Sequence, residues 1–248
     1  MVARSFADLS LAALYDSLHP WGPGDDFYAG LVMSASSVLD VGCGTGRLLA
    51  RARAAGHRGR LVGVDPAAAM LVQARRREPR VEWVLGDLRS RLWYGEFELV
   101  VMAGHTFPLL VGDEELRGAL RAVRGALAGG GGRFVFDTLH PAARAWENWS
   151  PQHIHEGADA EGSVAWMWRT VSRPGADDRI TVTETYEGVR WDRPQVSTGT
   201  LRLLDPHGIE RFLGEAGLTV VEQYGDWGRG PLTPAGPEIV TVAAPNFR

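Results

Sequence analysis

The stretch Val38-Leu39-Asp40-Val41-Gly42-Cys43-Gly44-Thr45-Gly46-Arg47-Leu48-Leu49 decides the fold. Its first four residues read as a buried strand, and Leu48 to Ala55 reads as a helix that stops at Gly56. The glycines between them let the backbone turn tightly and approach a ligand closely, and the following helix N-terminus favours negative charge. Their spacing is G-x-G-x-G. Arg47 stands where the G-x-G-x-x-G of dinucleotide binders has its last glycine. Downstream, Leu61-Val62-Gly63-Val64 reads as a second strand ending at Asp65, a carboxylate placed to accept hydrogen bonds from two ribose hydroxyls. NAD folds carry the same acid, so it marks a ribose without choosing the cofactor. Pro66 is expected at the first position of a helix that ends near Pro79. Val81 to Leu85, Phe97 to Met102 and Arg133 to Phe136 read as further strands, with a helix from Asp113 to Leu127. This alternation predicts an α/β fold, a parallel sheet with helices on both faces.

Upstream, Ser5 to Leu18 reads as one amphipathic helix with Ser5 as its N-cap. His19 to Gly24 breaks it, and Asp25 opens another short helix. After His140 the alternation stops. Val164 to Trp168, Ile180 to Tyr186 and Val196 to Leu203 are β-rich segments bounded by Pro174-Gly175 and Arg193-Pro194, which predicts an antiparallel insert. Asp205-Pro206 then caps a helix, and strands at Thr219 to Tyr224 and Glu238 to Val242 close the chain around the loop Gly225 to Pro237. The expected organisation is a core with a helical cap over 1–139, a β-rich insert over 140–203, and completion of the core over 204–248.

Composition sets the bounds. The chain has 248 residues, of which 45% are hydrophobic and 23% charged, so disordered, collagenous and coiled-coil classes are excluded. Cys43 is the one cysteine, so an intramolecular disulfide and a multi-cysteine zinc site are excluded as well. No run is long enough for a membrane span, and the start of the chain lacks the long apolar stretch of a secretory signal; a cytoplasmic protein is expected. The net charge of −4 argues against a nucleic-acid partner. The basic run Arg75-Arg76-Arg77 with Arg80 lies near a helix C-terminus, where the dipole favours cations, and reads as a solvated helix end.

Five segments in register carry a resemblance: Val38 to Leu49, Gly63 to Leu71, Leu85 to Leu88, Phe97 to Leu110 and Gly132 to Thr138. The chain resembles the class I S-adenosylmethionine-dependent methyltransferases, closely over about residues 30–140 and more loosely over the last forty. The resemblance implies a Rossmann-like, mostly parallel seven-stranded sheet, a reversed terminal hairpin, and a β-rich lid of the kind seen in members acting on small molecules. It implies S-adenosylmethionine as cofactor and S-adenosylhomocysteine as product. By position, Gly42, Cys43 and Gly44 would lie against the methionine part, with Asp40 beneath the loop. Asp65, followed by Pro66, would hold the ribose hydroxyls. Asp87 would accept from the adenine amino group, Leu88 and Met70 would sandwich the ring, and Met102 and Ala103 would line the site past the fourth strand. Tyr15-Asp16 matches a pair in which the tyrosine closes over the cofactor. The acceptor would be a small molecule and the protein a monomer or homodimer.

Methyl transfer is an in-line displacement at an activated sulfonium, so proximity, alignment and exclusion of water matter most. A base is needed only if the nucleophile arrives protonated. His105 and His140, just past strand ends, and Tyr15 are the candidates. His153 and His155 lack a third metal ligand, and no metal is expected. Trp146, Trp149, Trp166, Trp168, Tyr186 and Trp191 gather in or near the insert, either as a pocket wall or, the favoured reading, as a small sheet packing on the main domain. Met102-Ala103-Gly104-His105 stands where enzymes that methylate base or amide nitrogens usually carry Asn/Asp-Pro-Pro-Phe/Tyr. No paired-glutamate loop of arginine methyltransferases is present, and Asp137 alone does not make the acidic cluster of catechol-type enzymes. Small-molecule O-, N- or C-methylation remains. The alternatives are a non-methylating reaction on the same fold, such as cyclisation, a non-enzymatic cofactor binder, and an NAD enzyme.

Overall fold

The computed structural model describes residues 2–172 and 178–246. The Pro174-Gly175 turn lies outside the described residues. The elements in chain order are α1 (Arg4–Ala7), α2 (Leu9–Leu18), α3 (Pro23–Ser34), β1 (Ser37–Val41), α4 (Arg47–Ala54), β2 (Arg60–Asp65), α5 (Ala68–Arg77), β3 (Glu82–Leu85), β4 (Leu99–Met102), α6 (Asp113–Ala126), β5 (Arg133–Leu139), β6 (His155–Ala158), β7 (Val164–Ser172), β8 (Arg179–Gly188), β9 (Gln195–Arg202), α7 (Pro206–Glu215), β10 (Leu218–Tyr224) and β11 (Glu238–Pro245).

The main sheet runs β10-β11-β5-β4-β1-β2-β3. Strands β1 to β5 are parallel, and β11 is antiparallel to both β5 and β10, which makes the reversed hairpin. Strands β1, β2 and β4 are nearly continuous apolar runs because helices cover both of their faces. On one face Leu39, Val62, Val100 and Phe136 pack with Leu116, Leu120 and Val123 of α6 and Phe212 of α7. On the other, Val38, Leu61, Leu99 and Val101 pack with Tyr28 and Val32 of α3 and Leu48 and Leu49 of α4. The parallel register brings Val41, Asp65, Leu85 and Met102 to one edge, the carboxyl edge at which open α/β sheets bind ligands.

Three expected helix starts are moved. Helix α3 begins at Pro23, inside the expected break and two residues before Asp25, whose carboxylate accepts from Gly22 N at 2.9 Å and so closes the first turn. Ser5 to Leu18 is two helices, because the Asp8 side chain accepts from Ser10 N and Leu11 N and so caps α2 by itself. Ser5 lies inside α1, buried, and its N–H donates to Ser197 Oγ of β9 at 2.8 Å. Pro66 is exposed and precedes α5 by two residues, because Ala67 N donates to the Asp65 carboxylate at 2.7 Å and makes a turn there. Asp205 caps α7 as expected, accepting from Gly208 N at 2.7 Å.

The insert is an antiparallel sheet in the order β6-β7-β8-β9. Strand β6, His-Glu-Gly-Ala, has no β-rich signal and forms by pairing with β7. Ala165, Met167 and Tyr186 pack on Leu11, Leu14 and Leu18 of α2. Side chains alternate along a strand, so Trp166 and Trp168 point to the other face, where Trp166 stays 38% exposed. The sheet does pack on the helical cap, but through the residues between these tryptophans.

Candidate active site

The glycine loop is held by backbone contacts to β2. Gly42 N and Cys43 N both donate to Val64 O, at 2.8 and 3.2 Å. Gly42 has φ +70°, and a Cβ there would lie 2.4 Å from the Thr106 side chain, so no larger residue fits. Gly44, at φ +55°, has nothing within 4 Å of a Cβ position and faces open space. Gly44 N and Ala67 N each donate to one Asp65 carboxylate oxygen, at 2.8 and 2.7 Å. These bonds hold the Asp65 carboxylate rigid at the end of β2. Burial pushes its pKa up, and the two bonds oppose that. Asp40 lies buried behind the loop; burial, then the nearby Asp65 charge, pushes its pKa up to about 7. Burial also pushes the Cys43 thiol up, so it is a poor nucleophile.

Asp87 is paired with Arg89 at 2.6 Å, and that bond, against some burial, holds its carboxyl below the usual range. Leu88 and Met70 are both buried, but in separate clusters. Leu88 packs with Val62, Val64 and Trp93, and Met70 with Ala12, Ala67 and the partly buried Tyr15. Met102 is buried at the end of β4, and Ala103 O accepts from Thr106 Oγ1 at 2.8 Å.

Helix α2 is clasped to the loop. Asp16 accepts from Thr45 Oγ1 at 2.7 Å and pairs with Arg77, which also donates to Thr45 O at 2.9 Å. Arg75, Arg76 and Arg77 are all exposed, as a solvated helix end requires, and Arg77 serves in addition as a structural tie. Arg47 donates to His19 O and pairs with Asp25 at 2.8 Å. Tyr15 stacks on His19 with centroids 4.4 Å apart, and burial pushes its phenol up to about 12. It is a neutral hydrogen-bonding group at physiological pH.

His105 sits past β4 at φ +60°, a conformation that a non-glycine residue rarely adopts. Its backbone N–H donates to Asp137 Oδ2 at 2.8 Å, and its ring Nε2 lies 2.9 Å from Glu238 Oε2 and 3.5 Å from Asp137 Oδ2. Tyr28 O–H donates to Asp137 Oδ1 at 2.6 Å. Asp137 is fully buried, and burial, opposed by His105 and Tyr28, pushes its carboxyl up. Burial lowers the His105 pKa, but the two carboxylates outweigh it and hold the imidazole near 9. His105 is therefore a cation at neutral pH and holds its proton instead of taking one.

His140 is not part of this group. Alternation along β5 puts Asp137 and Leu139 on one face and Thr138 and His140 on the other. The His140 ring accepts from Ala142 N at 3.1 Å, a turn role. Burial lowers its pKa, against the Asp205 charge. Sequence reading missed Glu238 and Tyr28. Neither sits in a motif, and their place beside Asp137 follows only from strand order and from packing of α3 on the sheet. It also missed Arg169 of β7, which donates to His19 Nε2 at 2.6 Å and pairs with Glu184 at 3.1 Å. Arginine only donates, so His19 carries its proton on Nδ1, directed at Tyr15 O at 2.8 Å. Burial and the Arg169 charge lower the His19 pKa to about 4. This buried polar contact joins the insert to the cap.

Comparison with known proteins fixes the class. Residues 38–131 match the model of a methyltransferase domain. The chain is 30% identical over 236 residues, 90% of its length and 89% of the relative's, to the dTDP-3-amino-3,6-dideoxy-alpha-D-glucopyranose N,N-dimethyltransferase of Streptomyces fradiae. It is 31% identical to the 2-phytyl-1,4-naphtoquinone methyltransferase of Thermosynechococcus vestitus, over 63% of this chain and 77% of that one. Among solved structures, the CcbJ methyltransferase of Streptomyces caelestis superposes with TM-score 0.70 over 92% of this chain and 91% of that one, at 22% identity, a likeness of fold. The chain belongs to the S-adenosylmethionine-dependent methyltransferases. It is an enzyme of that class, with S-adenosylmethionine as its cofactor. Among the described residues no helix is long and apolar enough to cross a membrane.

Proposed function

We propose that this enzyme methylates an amino nitrogen of a small polar molecule held between the His105–Asp137–Glu238 group and the four-stranded insert. The observation that carries the reading is that group itself: two carboxylates converging on one ring nitrogen of His105, past β4, in the loop whose Thr106 touches the glycine turn. Carboxylate oxygens accept N–H and O–H bonds, so they align a neutral amine and leave its lone pair free to point along the reaction axis. The named chemistry of the Streptomyces fradiae relative, an N,N-dimethylation of an amino sugar, supports nitrogen.

The cofactor's binding residues are proposed with it. Asp65 would hold the ribose hydroxyls on the lone pairs that Gly44 N and Ala67 N leave free. Gly42, Cys43 and Gly44 would lie along the methionine part, Asp87 would meet the adenine amino group, and Tyr15 would close the cleft. S-adenosylmethionine supplies a methyl already activated on a sulfonium. Residues of this chain need only align the acceptor, exclude water and receive one proton from the alkylated nitrogen; Glu238, the less buried of the two carboxylates, is placed for that. The protein would act as a monomer or homodimer in the cytoplasm, without nucleic acid.

Methyl-labelled S-adenosylmethionine, incubated with the enzyme and with separate small-molecule, RNA and protein fractions of a cell extract, tests this. Label is expected in small molecules, released as methylated amine on acid hydrolysis. Label in RNA or protein would overturn the acceptor class, and label on carbon or oxygen would overturn nitrogen.

A further inference from the structure

Sequence reading set metal chemistry aside because Asp137 stood alone. The fold removes that reason. Strands β4, β5 and β11 are neighbours in the sheet, and they bring together His105, Asp137, which is 32 residues further on, and Glu238, which is 133 residues from His105. One donor atom from each lies within 4.8 Å of the other two. The His105 Nε2 separations are 2.9 Å to Glu238 and 3.5 Å to Asp137. Ligands bound at about 2.1 Å to a single ion stand about 3.0 Å apart at octahedral and about 3.4 Å apart at tetrahedral neighbouring positions. The observed spacings bracket those values.

We propose that His105, Asp137 and Glu238 form a binding site for one divalent transition-metal ion. The donor set of one imidazole and two carboxylates suits Mn2+, Fe2+, Co2+ or Zn2+ better than Ca2+ or Mg2+, which take oxygen alone. The Tyr28 hydroxyl on the far oxygen of Asp137 is the kind of outer hydrogen bond that orients a ligating carboxylate. The ion would take the place of the Nε2 proton of His105, which is released on binding, and a dication then replaces the imidazolium in matching two carboxylates, one of them fully buried. Three protein ligands leave positions open. On the acceptor placement proposed above, one open position takes a hydroxyl oxygen of the acceptor beside the nucleophilic nitrogen, which itself stays uncoordinated. The acceptor is then an amino alcohol. His153 and His155 make no comparable group, because among the described residues the three named are the sole cluster with this geometry.

The test is direct. The full-length enzyme, stripped with a chelator, is titrated with Mn2+ while free Mn2+ is followed by electron paramagnetic resonance. One ion per chain is expected, with affinity lowered at least about tenfold in Glu238→Gln and in His105→Asn, and about tenfold in Tyr28→Phe. Unchanged S-adenosylmethionine affinity in Glu238→Gln shows that the fold is kept. Absence of saturable binding, or binding that survives both ligand substitutions, overturns the site. Full turnover by stripped enzyme that binds no Mn2+ overturns the metal and leaves the small-molecule reading standing. Mn2+ binding without methylation of any small amine overturns that reading and leaves the metal.

Discussion

The glycine loop and the His105 group lie at the same edge of one sheet, and they are built in opposite ways. The loop, Asp40 and Asp65 come from one β1-α4-β2 unit within 26 residues, 40–65, and are joined mainly by backbone N–H bonds. Tyr28, His105, Asp137 and Glu238 come from four separate segments, and mostly side chains join them. A site made locally is written in spacing. A site made by strand order appears only once the sheet is assembled. The difference also predicts function: the loop should control the cofactor and the scattered group the acceptor.

The largest expected effect breaks the local half. Asp65→Ala removes the acceptor of the Gly44 and Ala67 N–H bonds together with the proposed ribose contacts. S-adenosylmethionine affinity should fall by about two orders of magnitude, from two or more charge-assisted bonds at about 1.5–3 kcal/mol each, with the circular dichroism spectrum kept. Isothermal titration of the variant measures it.

The two halves should also titrate apart. The Asp40 pKa is raised from 3.8 to about 7, so the folded protein binds more protons than the unfolded chain across that window. Stability should fall as pH rises through it. The His105 pKa is raised from 6.5 to about 9, so its stabilisation is fully present below pH 6.5 and is lost as pH rises through 9. Each slope is at most about 1.4 kcal/mol per pH unit. Urea unfolding of the cofactor-free protein, stripped with a chelator, from pH 4 to 10 should show both declines. Asp40→Asn should flatten the lower one and leave the upper, whereas His105→Asn should abolish the upper and steepen the lower, because it removes the charge that opposes the rise of the Asp137 pKa.

A smaller effect tests the lid. Arg169→Ala leaves His19 Nε2 without its partner and Glu184 with the Tyr186 hydroxyl alone, in a partly buried contact, at a cost of about 1–3 kcal/mol. Protease cleavage within the insert should quicken before the core is touched. The smallest belongs to the outer face of the same sheet. Trp166→Ala removes a ring that is 38% exposed and should cost under about 1 kcal/mol in chemical denaturation.

How much was legible follows from the same contrast. The parallel core could be read because β1, β2 and β4 are short apolar runs flanked by glycine and a helix period. The break at Asp8 was missed because a capping side chain inside an amphipathic pattern leaves the hydrophobic period intact. Strand β6 was missed because its residues have no β preference, and pairing with β7 makes it a strand. Trp166 and Trp168 were rightly placed on one face, but period two cannot say which face meets the helices. His105 and Asp137 could be seen as polar residues past strand ends. Glu238 could not, because its register opposite Leu139 depends on β11 inserting between β5 and β10.

The most direct test of this division of labour is one variant measured twice. Glu238→Gln is partly exposed, removes no backbone hydrogen bond and leaves the loop untouched. Its S-adenosylmethionine Kd should stay within about twofold of wild type, while kcat/KM for the acceptor falls about ten- to a hundredfold. Loss of cofactor affinity in step with turnover, or turnover that is unchanged, would contradict the account.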